Sequence, residues 1–473
     1  MNPSPRLAAL LLATVAVAGC AAMDPYNIVS RRTGAVDVLP TNPVPPSASP
    51  ALGEASRVEA FDFVWSTVNE RYYDPAFNGV DWAAARERWR PRALAAATDE
   101  EFWHALDRMT GELRDAHTRV ESPRRAAEIE RYESVGLGFA FLPLDGRIVV
   151  TAVNAEGDAY WAGVRPGMTL VEIGGEAAQA AYAKALAETR ESSTAQARHF
   201  AAARRLFRGE AGTAATLVFA RGDGTRFTAT LERKRTTTPP RVAHRKLPSG
   251  FGYIRLTSWE QSMQGRMIAA IEALKGTRGL VIDLRGNPGG SALMVKAVAA
   301  QFFEGKVEYG RILTRTGRPV AIAFDWIELF KLKQELEGTG AYPGPVAILV
   351  NAGSGSGSEL FAGILQSQGR ATVVGQVSCG CLLAYLGYAD IPGGGKLAYS
   401  EVGFEFARGR RIEGAGVVPD VPVPVSVADL LVDRDRALEE AQAALRAADA
   451  QRLSGPRISG DATAAAIASP QAR

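Results

Sequence analysis

Two short runs of small residues are placed where chemistry could be done. One, Asp283-Leu284-Arg285-Gly286-Asn287-Pro288-Gly289-Gly290, is a glycine-rich turn leaving an apolar run. The other, Asn351-Ala352-Gly353-Ser354-Gly355-Ser356-Gly357-Ser358-Glu359, lies between an apolar run and an apolar helical pattern. A serine where a helix begins has unsatisfied backbone amides and the positive end of the helix dipole beside it, and both favour an oxyanion. Glycine at such a place lets a substrate carbonyl approach the main chain closely. A plainer reading also fits, because Ser356-x-x-Glu359 has the spacing of a capping box. A nucleophilic serine further needs a base. The chain has four histidines, His104, His117, His199 and His244, and His117 stands in the segment Asp115-Ala116-His117-Thr118.

The elements that must position these residues follow from the apolar patterning. Phe61, Val64, Trp65 and Val68 recur at helical spacing, as do Phe102, Leu106, Met109 and Leu113, which predicts a helical N-terminal region over residues 57–132. Residues 133–236 read as a compact β unit. Gly136-Leu137-Gly138-Phe139 opens it, Ile148, Val150 and Ala152 alternate, and Ala162-Gly163-Val164-Arg165-Pro166-Gly167-Met168 leads into Leu170-Val171-Glu172-Ile173-Gly174-Gly175. This combination resembles a PDZ domain. The resemblance implies that the backbone amides at Gly136, Leu137, Gly138 and Phe139 capture a peptide's terminal carboxylate while a strand edge pairs with the peptide. The stretch from Ala177 to Glu210 is longer than a minimal PDZ domain needs there. Residues 242–430 alternate buried-strand runs (Gly279–Leu284, Val346–Val350) with helical patterns such as Ala292–Phe303, the mark of an α/β domain. A C-terminal helix over 431–451 and a polar, disordered tail over 452–473 complete the chain.

Together the two turns resemble the core of the carboxyl-terminal-processing and tricorn-type serine peptidases of family S41. That family has a crotonase-like α/β core with an attached PDZ domain, and the resemblance runs from about Phe61 to Pro422. It implies that Ser356 is the nucleophile and that the amides of Gly290 and Gly357 form the oxyanion hole. The larger branch of the family takes its base from a lysine in a Gly-Lys pattern on the strand after the serine's helix. Here that segment reads Gly375-Gln376-Val377-Ser378-Cys379-Gly380-Cys381, and Cys381 stands in the lysine's place. Lys396, the one lysine downstream of Ser356, follows three glycines in a turn and is a poor substitute. The tricorn-like branch uses histidine and glutamate instead. Asp115-Ala116-His117-Thr118 matches its histidine segment, and Ile412-Glu413-Gly414-Ala415-Gly416-Val417 fits its glutamate position. The resemblance therefore implies a triad in which His117 takes the proton of Ser356 and Glu413 orients the imidazole and stabilises its cation. A catalytically inactive relative that binds peptides as a scaffold is the alternative reading of the missing lysine.

Composition narrows the partners. The 473 residues suffice for two or three domains, and 54 basic against 51 acidic residues leave a formal net charge of +3. No broad basic field and no nucleic-acid motif is present, so nucleic acid is not an expected partner; the resemblance implies polypeptide substrates. No metal and no organic cofactor is implied. Cys379 and Cys381 alone make a poor zinc site, and a bridge between them would be a strained one. At the N-terminus Arg6, the apolar run Leu7–Ala16 and Val17-Ala18-Gly19-Cys20 resemble a bacterial lipoprotein signal, with residues 1–19 removed and Cys20 acylated. A proline-rich tether over 20–56 would follow the anchor. Acyl chains add about 0.8 kcal/mol per buried methylene, enough to hold the protein at a membrane. The expected location is extracytoplasmic, and Ala21 after the cysteine points to the outer membrane's periplasmic face. The sequence leaves the oligomeric state open.

Overall fold

The computed structural model describes residues 51–322 and 326–454. The signal segment, Cys20, nearly all of the expected tether and the tail from 455 lie outside the described residues. No described helix is long and apolar enough to cross a membrane.

Four helices form the N-terminal region: α1 (Glu54–Arg71), α2 (Trp82–Leu94), α3 (Asp99–Gly111) and α4 (Pro123–Glu130). Asp81, Thr98 and Ser122 start α2, α3 and α4, each accepting a first-turn amide that would otherwise have no partner. Phe61, Val64 and Val68 of α1 pack with Trp82 and with Phe102, Leu106 and Met109 of α3. The same cluster includes Leu397 and Tyr399, from almost three hundred residues later. The reason is a strand pairing. Arg119–Glu121 runs antiparallel to Lys396–Ala398, with Val120 opposite Leu397. That pairing brings Asp115 and Thr118 against Ser400.

Strands Phe139–Leu144, Arg147–Val153, Thr169–Ile173, Ala214–Ala220 and Arg226–Glu232 make an antiparallel sheet in that neighbour order. Phe141, Ile148, Val150, Leu170, Leu217 and Phe219 form its buried face. Glu133–Gly136 pairs with Lys234–Thr237 where the chain enters and leaves the unit. The long segment after Ala177 folds into two helices, α5 (Ala178–Glu188) and α6 (Ala195–Leu206), which cover the sheet through Tyr182, Ala202 and Ala203.

The largest core surrounds a six-stranded sheet whose order follows the chain: β1 (Val242–Lys246), β2 (Gly252–Leu256), β3 (Leu280–Asp283), β4 (Val346–Val350), β5 (Ala371–Gly375) and β6 (Val421–Pro422). β1 is antiparallel to β2, and the remaining pairs are parallel. Ile254, Ile282, Ile348 and Val373 stand in register on one face, against α7 (Gln264–Ala273), α8 (Ala292–Ala299) and α9 (Gly357–Ser367). Val281, Ala347, Leu349 and Val374 face the other side. Every residue of β3 and β4 is buried, which is why these strands read as continuous apolar runs rather than alternations. Truncating Ile282 or Ile348 to Ala would cost about 2–5 kcal/mol.

The C-terminal helix departs from the sequence expectation. A short helix, α10 (Val427–Leu431), ends where a continuous one was expected to begin, and α11 (Arg436–Ser454) starts after Asp433 at φ +52°. Asp435 sets the new start, since its carboxylate accepts the Leu438 amide at 3.0 Å and also binds Arg285. α11 then covers the second face of the sheet with Ala441 and Leu445.

Candidate active site

Ser356 precedes α9 with φ +50° and ψ −113°, a conformation costly for any residue with a side chain. Its neighbours hold it there. The Ser356 amide donates to the Cys381 carbonyl at 3.0 Å and to Glu359 Oε2 at 3.0 Å. Gly289 packs so closely that a β carbon on it would lie 2.6 Å from the Ser356 β carbon, and its φ of +107° also demands glycine. The glycine-rich turn after β3 is thus the seat on which the serine turn rests. Asn287 stiffens it by accepting the Gly289 amide and donating to the Leu256 carbonyl.

Three serines alternate with glycine here, and their surroundings separate them. Ser354 Oγ donates to the Leu284 carbonyl at 2.8 Å. Ser358 Oγ donates to the Asn287 carbonyl at 3.0 Å and accepts the Trp259 indole N–H at 3.0 Å. Ser356 Oγ lies 3.0 Å from His117 Nε2. Half of the capping-box reading is also present, because Glu359 accepts the Ser356 amide, but the Ser356 hydroxyl is turned to the imidazole.

Asp115 sets the position of His117 through the main chain. Fully buried, its carboxylate accepts the His117 amide at 2.7 Å, the Ser400 hydroxyl at 2.6 Å and the Thr118 hydroxyl. Arg190 donates to the Asp115 carbonyl at 2.9 Å. Burial pushes the His117 pKa down to about 4; Asp115 opposes the shift, and Arg119 and Arg190 add to it. The imidazole is therefore neutral near pH 7, the state in which Nε2 can accept a proton.

Glu413 lies in the loop between Val402–Phe406 and β6, not on a strand, and its Oε2 accepts the Leu382 amide. Its Oε1 and the Nδ1 of His117 are both buried without a hydrogen-bond partner. The structure thus brings Ser356 and His117 together but does not bond Glu413 to the imidazole. Burial pushes the Glu413 pKa well above the usual carboxylate range, Asp115 raises it further, and the Ser193 hydroxyl opposes the shift.

Gly290, at φ +140°, approaches Trp259 so closely that any β carbon would collide with its carbonyl. The Ser291 amide donates to the Trp259 carbonyl and the Trp259 amide to the Gly289 carbonyl, an arrangement that leaves the Gly290 amide out. The Gly357 amide, first in α9, has no acceptor within its helix. A β carbon at Gly357 would lie 3.3 Å from the Gly290 nitrogen, so the two glycines border one small space beside Ser356. Lys396 is engaged by Asp390.

Glu359 has the spacing of a cap but does more than cap. It is fully buried, and it accepts the Gly380 amide at 2.6 Å, the Cys381 amide at 2.9 Å and the Ser378 hydroxyl in addition to the Ser356 amide. Burial raises its pKa to about 7 against these four donors. Cys379 and Cys381 are joined as a disulfide. No three His, Cys, Asp or Glu side chains among the described residues gather as a metal-ligand set.

Gly136, Leu137, Gly138 and Phe139 lie elsewhere, on a groove of about 970 Å³ shared with Arg204 and Phe207 at the end of α6. The other end of α6 reaches the catalytic side: the Thr194 hydroxyl caps it and donates to the Cys379 carbonyl, and Gln196 donates to the Ser378 carbonyl at 3.2 Å.

Residues 250–423 match the family described as peptidase family S41, and residues 54–111 match the tricorn protease C1 domain. The chain is 28% identical over 399 residues to carboxyl-terminal-processing peptidase 2, chloroplastic, of Arabidopsis thaliana, covering 80% of this chain and 71% of that protein. It is 26% identical over 368 residues to the carboxyl-terminal-processing protease of a Synechocystis species, covering 75% and 78%. Among solved structures, mature CPAF shares the fold with a TM-score of 0.61 at 16% identity, over 85% of this chain and 99% of that one. The photosystem II D1 C-terminal processing protease superposes with a TM-score of 0.51 at 23% identity, over 78% and 93%.

Proposed function

We propose that this chain, a serine peptidase belonging to family S41, cleaves extracytoplasmic polypeptides through Ser356, His117 and Glu413. The observation that carries the reading is the 3.0 Å approach of His117 Nε2 to Ser356 Oγ. His117, held neutral by burial, removes the hydroxyl proton as Oγ attacks the scissile carbonyl. The negative charge that develops on the carbonyl oxygen falls to the Gly290 and Gly357 amides. Protonation at Nε2 turns the imidazole into a cation whose Nδ1–H needs an acceptor, and Glu413 Oε1, also unmet, is assigned that place. His117 then returns the proton to the leaving amine, and water releases the acyl group by the same steps in reverse.

In this reading the mainly parallel six-stranded sheet with α7, α8 and α9 is a crotonase-like core, with a domain span of 242–430. Residues 133–236 are an inserted PDZ-like domain. Its turn at Gly136, Leu137, Gly138 and Phe139 takes the C-terminal carboxylate of the substrate while the chain extends along the groove. Relatives named for carboxyl-terminal processing support a substrate recognised by its end. Cys20 carries lipid and places the enzyme at the periplasmic face of the outer membrane.

Labelling with a serine-reactive phosphonate tests the reading. The adduct is expected on Ser356, absent in Ser356→Ala and strongly slowed in His117→Ala. An adduct elsewhere, or none on a folded protein, overturns it.

A further inference from the structure

The tripeptide Cys379-Gly380-Cys381 uses all six of its backbone polar groups on residues around the nucleophile. The Cys379 amide donates to the Ser354 carbonyl at 2.9 Å, and the Cys379 carbonyl accepts the Thr194 hydroxyl. The Gly380 amide donates to Glu359 Oε1 at 2.6 Å, and its carbonyl accepts the Gly414 amide at 2.9 Å, next to Glu413. The Cys381 amide donates to Glu359 Oε2 at 2.9 Å, and its carbonyl accepts the Ser356 amide at 3.0 Å. One small turn therefore joins the serine turn, the buried Glu359, the Glu413 loop and the cap of α6. The disulfide closes that turn into a ring, with Gly380 at φ +71° as its one residue lacking a side chain.

We propose that the Cys379–Cys381 disulfide is a reducible positioning element of the catalytic centre: it holds the turn that keeps Ser356 in its strained conformation, and opening it lowers turnover. Ser356 keeps φ +50° only while its surroundings over-determine it. Two of those restraints, the Cys381 carbonyl and Glu359, depend on the turn. Without the bridge, Gly380 regains a wide range of conformations and the Cys381 carbonyl is free to swing from the Ser356 amide. A displacement of about 1 Å at a reacting atom costs on the order of 100-fold in rate.

The chemistry is thiol–disulfide exchange with a dithiol. Cys379 is half-buried and Cys381 is only 3% exposed, so a reductant thiolate reaches Cys379 Sγ first. The new sulfur–sulfur bond forms there as the Cys379–Cys381 bond breaks, and Cys381 leaves as a thiolate that takes a proton from water. The second thiol of the reductant then displaces Cys379, leaving two protein thiols and an oxidised, cyclic reductant.

The test treats the whole protein with dithiothreitol and alkylates a sample to count free thiols on the peptide containing residues 379–381. Peptidase kinetics and backbone hydrogen exchange are followed in both states. Reduction is expected to lower kcat about 10- to 100-fold with KM little changed, and reoxidation should restore it. Exchange of residues 351–360 should accelerate at the same time. Cys379→Ser/Cys381→Ser should have the low kcat and ignore the reductant. Full kcat with both thiols shown free, or unchanged exchange of 351–360 on reduction, overturns the proposal. The kinetic arm rests on the peptidase reading and the exchange arm does not. Absence of cleavage in both states would count against that reading, and the exchange result would still decide this one.

Discussion

His117 Nε2 and Ser356 Oγ stand 3.0 Å apart, although the two residues are separated by 239 positions in the chain. Two unlike pieces of structure make that contact. On one side, Arg119–Glu121 joins Lys396–Ala398 as a strand and Asp115 locks the His117 amide against Ser400. On the other, Ser356 is pinned by Gly289, Glu359 and Cys381 at the start of α9. Neither side depends on the other's local sequence, so single changes at the pair should abolish turnover without unfolding the chain.

The acid limb of the pH profile should lie unusually low. An ordinary imidazole titrates at about 6.5, whereas burial holds His117 down to about 4. Because kcat/KM reports the free enzyme, its acid limb is expected well below 6.5 and toward 4. The sign for stability follows from the same shift. Between these values the unfolded chain binds the proton and the folded one does not, so the contribution of neutral His117 is complete above about 6.5 and is lost as pH falls toward 4. Measuring kcat/KM across pH 4–9 checks the kinetic claim. An acid limb above neutrality would be the behaviour of a desolvated lysine base instead.

Glu413→Gln should leave the fold intact and lower kcat. An amide of the same shape keeps an oxygen to accept the Leu382 amide, so the change should cost little stability. It cannot stabilise the imidazolium, and the loss in kcat should be on the order of 100- to 10,000-fold. Thermal unfolding beside steady-state kinetics separates the two effects. Wild-type kcat in the variant would remove Glu413 from the mechanism.

The groove beside Gly136 to Phe139 should distinguish peptide ends. A peptide ending in a free carboxylate is expected to bind at least about tenfold more tightly than its amide, the scale of a lost charged hydrogen bond. Calorimetry on Ser356→Ala avoids cleavage during the titration. Equal affinities would leave strand pairing alone as the mode of recognition.

Cys20→Ser should move the protein from the membrane fraction to the soluble extracytoplasmic one. No described helix can span a bilayer, so acyl chains are the proposed hold. Variant protein that still sediments with membranes after a salt wash contradicts the lipid anchor.

The sequence made the continuous apolar strands β3 and β4 legible, because burial on both faces leaves a run rather than a period. The small-residue turns were legible for a related reason: close backbone approach admits only glycine at positions such as Gly289 and Gly290. What escaped was long-range. Ser356-x-x-Glu359 reads as a cap in one dimension, and only the folded chain brings Gly380 and Cys381 onto that carboxylate. The break at Asp433 was hidden because helical residues flank it on both sides, and the stop depends on Asp435 capping a new helix while holding Arg285. Likewise the spacing of Cys379 and Cys381 leaves a strained bridge open without deciding it, whereas the tripeptide's six backbone bonds show a turn already shaped by its neighbours.

The most direct measurement of the central claim compares kcat for His117→Ala, Lys396→Ala and wild type on one peptide substrate, with folding of each verified by circular dichroism. If His117 is the base, its removal should reduce kcat by on the order of 10,000-fold or more, as removal of a triad member does. Lys396→Ala should change kcat by less than about twofold, since an ion pair with Asp390 at the surface contributes little. Retained turnover in folded His117→Ala, or its loss in Lys396→Ala, would contradict the account.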